Sequence, residues 1–556
     1  MATRPGLCWC AMLMAGVHFA PQPATADSLQ LDPRTLHAIG RVDERFQSYN
    51  LEFSAITGGR FWAPFGKASK GTATPQPVQA ARRYAYQPPL DLMDRRLRTL
   101  ASALGPAYVR ISGTSANSVY FQDDRNPPLR APPKGFRYVL TCAEWKGVID
   151  FAKAVNAKIL TSFTISSGVR DASGTWTPAE AAPLIRYTHA IGGRIAAAEL
   201  FNEPNLPTFG DAPKGYDAAQ FARDEAVFRA FAQKAAPGMK IVGPGDVVAA
   251  NVTMPGGITA SSLMSTRPRP GFDIVSYHYY PGVSARCAPP QSPFGADPRK
   301  ALSEEWLASV DRSFRLHEHL RDLYDPGAPI WDTETGGAAC GGAPWDATFL
   351  DSFRYTDMRG RLARQGLDAL FHQTLVGSNY GLLDEKTYEP RPNYWAALLW
   401  RRLMGRVVLD AGPIHPGLHV YAQCLRGQPG GVSVLAINLR TSAARISLSG
   451  WADVYALTAR TLRSVTVLLN GRPFALGPRD RIPALVPRRM RGRDIPLAPT
   501  SITFIALPGA NNASCAAPID GRRGQGLRGV RPESDADWDA AHEYARAAVH
   551  NLPTSQ

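Results

Sequence analysis

Two glutamates sit in the same unusual context. Glu203 lies near the end of Ile195-Ala-Ala-Ala-Glu-Leu-Phe-Asn-Glu-Pro-Asn205, an apolar stretch that stops at a proline. Proline has no N–H to give a sheet ladder, and it biases the residue before it toward extended geometry. Glu334 ends Pro329-Ile-Trp-Asp-Thr-Glu334, a second apolar stretch, and Gly336-Gly337 opens a glycine-rich loop behind it. Each reads as a buried strand that delivers a carboxyl group to a cleft. Two carboxyl groups facing one cleft can cleave a glycosidic bond: one protonates the leaving oxygen, the other attacks the anomeric carbon or activates a water. A gap of about 5 Å between them gives retention of configuration, and about 6.5–9.5 Å gives inversion. Sequence spacing does not measure that gap. Either glutamate alone would be an ordinary solvated loop residue; the repeated context sets the pair apart.

Eight strand-like segments lie between residues 46 and 375: Phe46–Phe53, Tyr108–Ser112, Lys158–Phe163, Ile195–Glu203, Met239–Gly245, Phe272–Tyr280, Pro329–Glu334 and Asp368–Leu375. Helix signals separate most of them. Thr141-x-x-Glu144 and Thr177-Pro-x-Glu180 read as capping boxes, Asp217, Ser303 and Asp346 as N-caps, and Gly366 as a C-terminal stop. Strands alternating with helices predict an α/β fold, a (β/α)8 TIM barrel, in which chemistry sits on loops at the carboxyl ends of the strands. Glu203 then ends the fourth strand and Glu334 the seventh. Beyond about residue 405, short alternating segments between Gly- and Pro-containing turns predict a C-terminal β-sandwich domain. The expected organisation is a signal peptide at 1–26, an N-terminal strand at 27–44 joining the sandwich, a catalytic barrel at 45–405, the sandwich at 406–515, and a Gly-, Arg- and Asp-rich tail at 516–556.

The chain has 556 residues, 44% hydrophobic and 20% charged, an ordinary globular composition. Arg4, the apolar run from Leu7 to Ala20 and Ala24-Thr25-Ala26 form a signal-peptide layout with cleavage near Ala26, so a secreted or periplasmic protein is expected. Of seven cysteines, Cys8 and Cys10 leave with that leader. Cys424 and Cys515 are expected to close the sandwich with a disulfide, and Cys287 and Cys340, on the loops after strands six and seven, to shape the cleft wall with another. No Cys-x-x-Cys or His-x-x-x-His spacing points to a metal, and no cofactor is expected. The net charge of +15 fits an acidic polymer but names none, and the basic residues Arg60, Lys67, Arg82, Arg83, Lys134, Arg137 and Arg286 fall in or near barrel loops. Nucleic-acid motifs and later membrane-spanning runs are missing from the pattern, and oligomeric state is not legible.

Asn202-Glu203-Pro204-Asn205 resembles the acid/base motif of retaining glycosidases built on (β/α)8 barrels. Longer matches resemble heparanase and its relatives, the β-glucuronidases of glycoside hydrolase family 79. They are Leu104-Gly-Pro-Ala-Tyr-Val-Arg-Ile-Ser-Gly-Thr114, His278-Tyr279-Tyr280, Thr333-Glu-Thr-Gly-Gly337 with Gly341-Gly342-Ala343-Pro344, Asn379-Tyr380-Gly-Leu-Leu-Asp384 and Pro392-Asn-Tyr-Trp395. The resemblance covers about residues 45 to 515. It implies that Glu203 is the acid/base and Glu334 the nucleophile, with Asn202 on the sugar 2-hydroxyl. It further implies Tyr279 beside the nucleophile, Thr114 and Gln373 at the −1 sugar, and Tyr380 with Gly341 as a neutral cradle for a uronate carboxylate. Departures from the pattern are Phe201 where the family has glycine, expected to narrow the cleft, and Ser378 in a shortened loop before Asn379. Asp332, two residues before Glu334, is expected on the same strand face.

The expected activity is an endo-β-glucuronidase on heparan sulfate-type chains. The alternative is an exo-β-glucuronidase releasing terminal glucuronic or 4-O-methylglucuronic acid. A non-catalytic glycan-binding protein is the third reading. The insertion Gly58–Pro89 either clasps a polyanion or walls off the cleft.

Overall fold

The computed structural model describes residues 28–65, 83–124, 127, 129–250 and 257–516. The expected signal peptide, the tail from residue 517, Lys67 and Arg82 lie outside the described residues. Eight parallel strands close a barrel in chain order: Gln47–Glu52, Ala107–Ser112, Ala157–Ser162, Ile195–Glu199, Lys240–Ala249, Ile274–Tyr280, Ile330–Thr335 and Ala369–His372. The (β/α)8 reading is borne out. One layer inside the barrel, Tyr108, Leu160, Ala197, Val242, Ile274, Trp331, Ala369 and Phe371, is fully packed. It seals the interior, so the polar side chains nearer the carboxyl ends face a closed floor.

Local signals explain most helix starts. Thr141 and Asp217 form reciprocal capping boxes with Glu144 and Gln220, and Ser303 caps through Trp306 N–H. Gly366, at φ 97°, stops the helix Phe349–Gln365 in the left-handed conformation that glycine adopts freely. Two expected caps are corrected. The helix after Thr177 begins at Ala181, and the Glu180 carboxylate instead accepts the Phe121 N–H. Asp346 precedes its helix, which follows Thr348 without a side-chain cap; the Asp346 carboxylate accepts the Ala343 N–H inside the loop after strand seven.

The C-terminal region stacks two sheets. A nine-stranded antiparallel sheet built mainly from residues 404–507 packs on a three-stranded one of Ser28–Leu31, Ala444–Leu448 and Ile495–Leu497. Val420, Val434, Ile446, Leu448, Leu497 and Ile505 fill the space between them. Ala38–Arg41 pairs with Met404–Leu409, which carries the N-terminal segment onto the larger sheet. Cys424 and Cys515 are disulfide-bonded at the edge of this domain, and Cys287 and Cys340 across two barrel loops. Among the described residues, no helix is long and apolar enough to cross a membrane.

Candidate active site

Strand alternation decides which side chains reach the barrel mouth. On the second strand Tyr108, Arg110 and Ser112 point inward; on the sixth, His278 and Tyr280 do. Arg110 is the hub. Its guanidinium donates to both oxygens of Glu199 (2.8–3.3 Å), to Glu334 Oε2 (2.9 Å), to Asn202 Oδ1 (2.8 Å) and to His278 Nε2 (3.2 Å). Burial works against its charge, but Glu199 and Glu334 outweigh that and push its pKa up.

Glu334 receives a second donor, the Tyr280 hydroxyl, at 2.7 Å. Its carboxylate is therefore fixed from two sides. An irregularity in the seventh strand puts it there: Asp332 pairs with Tyr277, but Glu334 pairs with His278. The expectation that Asp332 shares the face of Glu334 is corrected by this shift. Asp332 faces the helix layer near Arg354 and Arg359, and burial pushes its carboxyl well up.

Glu203 lies four residues beyond the end of the fourth strand, at φ 52°. The turn is held by Asn117 from the loop after strand two, whose amide bonds both the N–H and the C=O of Asn202. Glu203 Oε1 lies 3.1 Å from His278 Nδ1. Because Arg110 can only donate, His278 Nε2 is the acceptor, and the neutral ring carries its proton on Nδ1, aimed at Glu203. Burial keeps the ring neutral, pulling its pKa down to about 4 despite Glu334. Burial pushes the Glu203 carboxyl the other way, up to about 7, against the pull of Arg110. One carboxyl is thus available as an acid near neutrality while the other is held by a cation and a phenol.

Donor atoms of Glu203, His278 and Glu334 all lie within 4.8 Å of one another. Such a cluster could hold a cation, but the Arg110 guanidinium already supplies positive charge at its centre. Expected residues fall into three groups. Asn202, Gln373, Tyr380 and Gly341 gather with the pair. Gln373 Nε2 bonds Glu52, and Gly341, at φ 83°, accepts from Ser378 Oγ (2.8 Å) and from the Asn379 N–H (3.2 Å). Thr114 opens the loop after strand two with its side chain exposed. Tyr279 does not sit beside the nucleophile: its hydroxyl bonds Ser309 on the surrounding helix, at 2.6 Å. The neighbour with the right parity is Tyr280. Phe201 does not narrow the cleft either; it is buried against Tyr216 and Phe221 behind the barrel.

Sequence reasoning missed Arg110, Glu199, Glu52 and His278 as site residues. Glu52 ends the first strand, and its carboxyl is pushed well up by burial and then by the charge of Glu334. Charged residues inside runs such as Tyr-Val-Arg-Ile-Ser and Ile-Ala-Ala-Ala-Glu were the available signal.

A closed (β/α)8 barrel with two carboxyl groups converging at its mouth, one pushed up by burial and one ion-paired, is the architecture of a retaining glycoside hydrolase. No family model matches the chain. It is 28% identical to heparanase-like protein 1 of Arabidopsis thaliana over 494 residues, 77% of this chain and 86% of that one. Baicalin-β-D-glucuronidase of Scutellaria baicalensis is 36% identical over 208 residues, 35% of this chain and 39% of that one. In fold it matches the 4-O-α-L-rhamnosyl-β-D-glucuronidase of Fusarium oxysporum 12S with a TM-score of 0.61 at 15% identity, covering 86% of this chain and 100% of that one. The chain is similar to heparanase-like proteins and, over a shorter stretch, to a β-glucuronidase, the enzymes its motifs resemble.

Proposed function

We propose that the protein hydrolyses β-glucuronidic linkages with net retention, Glu203 acting as acid/base and Glu334 as nucleophile. The observation that carries this is the approach of their carboxyl oxygens to within 4.8 Å, the short-gap geometry. In the first step Glu334 attacks the anomeric carbon as Glu203 passes its proton to the departing oxygen, leaving a glycosyl–enzyme ester. In the second, the Glu203 carboxylate takes a proton from a water that attacks the same carbon and frees Glu334. His278 N–H holds Glu203 in place through both steps. Asn202 accepts Arg110 on its Oδ1, so its NH2 group is the free end and is the donor for the sugar 2-hydroxyl, a contact that strengthens as the transition state develops.

Tyr380 is buried beside Gly342 and Gly336, and burial pushes its phenol well up, so it stays a donor. With the N–H groups of the glycine-rich loop it forms the cradle we assign to the uronate carboxylate. The likeness to the Scutellaria β-D-glucuronidase supports the same sugar. The two disulfides support export to an oxidising compartment. Endo and exo action share this chemistry and differ in what closes the pocket.

Azide rescue tests the assignment. Glu334→Ala with azide is expected to give the α-glucuronyl azide from an aryl β-glucuronide, and Glu203→Ala the β-glucuronyl azide. Full hydrolytic activity in Glu334→Gln would defeat the proposal.

A further inference from the structure

The segment 59–65, after the first barrel strand, lies against the loops that follow strands six to eight at the barrel mouth. Its hairpin pairs Gly59–Trp62 with Tyr84–Gln87. Phe61 is buried against the Tyr380 ring, with centroids 6.5 Å apart. Trp62 lies so close to Gly341 that a Cβ on that glycine would come within 2.4 Å of the Trp62 Cβ. The Phe65 N–H donates to Asn379 Oδ1 at 2.9 Å. This strap therefore covers Gly341 and Tyr380, the two residues of the carboxylate cradle.

Arg286, in the loop after the sixth strand, fastens the far end. Its guanidinium donates to Ala63 O (2.6 and 3.0 Å), Cys340 O (3.1 Å), Gly342 O (2.6 Å) and Asn379 Oδ1 (2.6 Å), and the Phe65 ring sits 3.9 Å from its Cζ. One buried side chain thus ties the loops after strands one, six, seven and eight. The Cys287–Cys340 disulfide links two of the same loops beside it. All these acceptors are neutral oxygens, so the guanidinium charge is not cancelled by a bonded carboxylate and adds to the attraction for a substrate carboxylate behind the cradle.

We propose that this clasp makes the sugar site a blind pocket, so that the enzyme removes uronic acid from non-reducing ends and does not cut inside a chain. The inference rests on the β-glucuronidase reading above. The leaving group departs past the acid, and Glu203 is the more open of the pair, its side chain 18% exposed against 9% for Glu334. At the opposite end of the ring, the carboxylate sits on C5 and its neighbour C4 carries the hydroxyl through which a preceding sugar would be joined. The cradle draws that end under the strap. A sugar joined at O4 would have to occupy the space held by Phe61 and Trp62, and the strap cannot lift without releasing Arg286. This proposal takes the exo alternative of the sequence reading over the endo expectation.

The test uses three substrates: an aryl β-glucuronide, an oligosaccharide ending in β-glucuronic acid, and the same oligosaccharide capped at O4 of that residue by one further sugar. The native enzyme is expected to turn over the first two and to process the capped one at least about a hundredfold more slowly in kcat/KM. Arg286→Ala and, separately, Phe65→Ala are expected to shrink that ratio, a change a merely weakened fold would not produce. Comparable kcat/KM on the capped and uncapped oligosaccharides would overturn the blind pocket while leaving the β-glucuronidase reading standing. No turnover of the aryl glucuronide would overturn both.

Discussion

Tyr280 and Tyr279 are adjacent in sequence and opposite in place, which makes them a sharp test of the site. The Tyr280 hydroxyl donates to the Glu334 carboxylate at 2.7 Å, whereas the Tyr279 hydroxyl is spent on Ser309 outside the barrel. Tyr280→Phe removes one donor to a charged acceptor and leaves the ring packed. A hydrogen bond to a charged group contributes about 1.5–3 kcal/mol. At about 1.4 kcal/mol per factor of ten, that is a loss of roughly 10- to 150-fold if the bond matters fully in the transition state. Part of the bond must weaken as Glu334 gives its charge to the anomeric carbon, so the loss should divide between the glycosylation and deglycosylation steps. Tyr279→Phe removes a bond between neutral groups and should cost about 1 kcal/mol of stability and little activity. Steady-state kinetics on an aryl β-glucuronide, with a denaturant midpoint for each variant, reads both effects. If Tyr280→Phe stayed within threefold of the parent, or Tyr279→Phe were the slower enzyme, the assignment of the inward face would be wrong.

Glu203 must be protonated to act as the acid, and its carboxyl is pushed up to about 7. Activity is therefore present below that pH and lost as pH rises through it, by about tenfold per unit; a kcat/KM profile flat to pH 9 would contradict this. Arg110→Met leaves Glu199 and Glu334 buried without their shared cation, which should cost about 3–5 kcal/mol of stability as well as turnover; urea unfolding would reveal it, and an unchanged midpoint would count against the hub. The Cys287–Cys340 disulfide closes a loop across a sequence separation of 53, so a Cys287→Ser, Cys340→Ser double variant should lose about 2–4 kcal/mol in denaturant titration; no loss would mean the loops are held by Arg286 and packing alone.

The barrel was legible because its strands announce themselves locally, as apolar runs ended by caps, proline or glycine. Glu203 and Glu334 were legible for the same reason. Phase within a strand was not. The choice between Tyr279 and Tyr280 turns on a single residue, and Asp332 was misplaced because a bulge between it and Glu334 breaks the two-residue period that the expectation assumed. Phe201 looked like a cleft residue because its neighbours Asn202 and Glu203 are. The turn that aims Glu203 inward sends Phe201 outward, against Tyr216 and Phe221. Arg110, Glu52 and the Arg286 clasp depend on partners from several strands and loops, and no local pattern pairs residues so far apart in the chain. Arg110, a charge at the centre of an otherwise apolar strand, was nonetheless a visible anomaly.

The central claim is that two carboxyl groups close to one another act in turn on a single anomeric carbon. The stereochemistry of the first-formed sugar tests it most directly. Proton NMR recorded within the first minutes of aryl β-glucuronide hydrolysis should show β-glucuronic acid, with the α anomer arising later by mutarotation. Initial appearance of the α anomer would mean that water attacks directly, and the double-displacement account of Glu203 and Glu334 would fall.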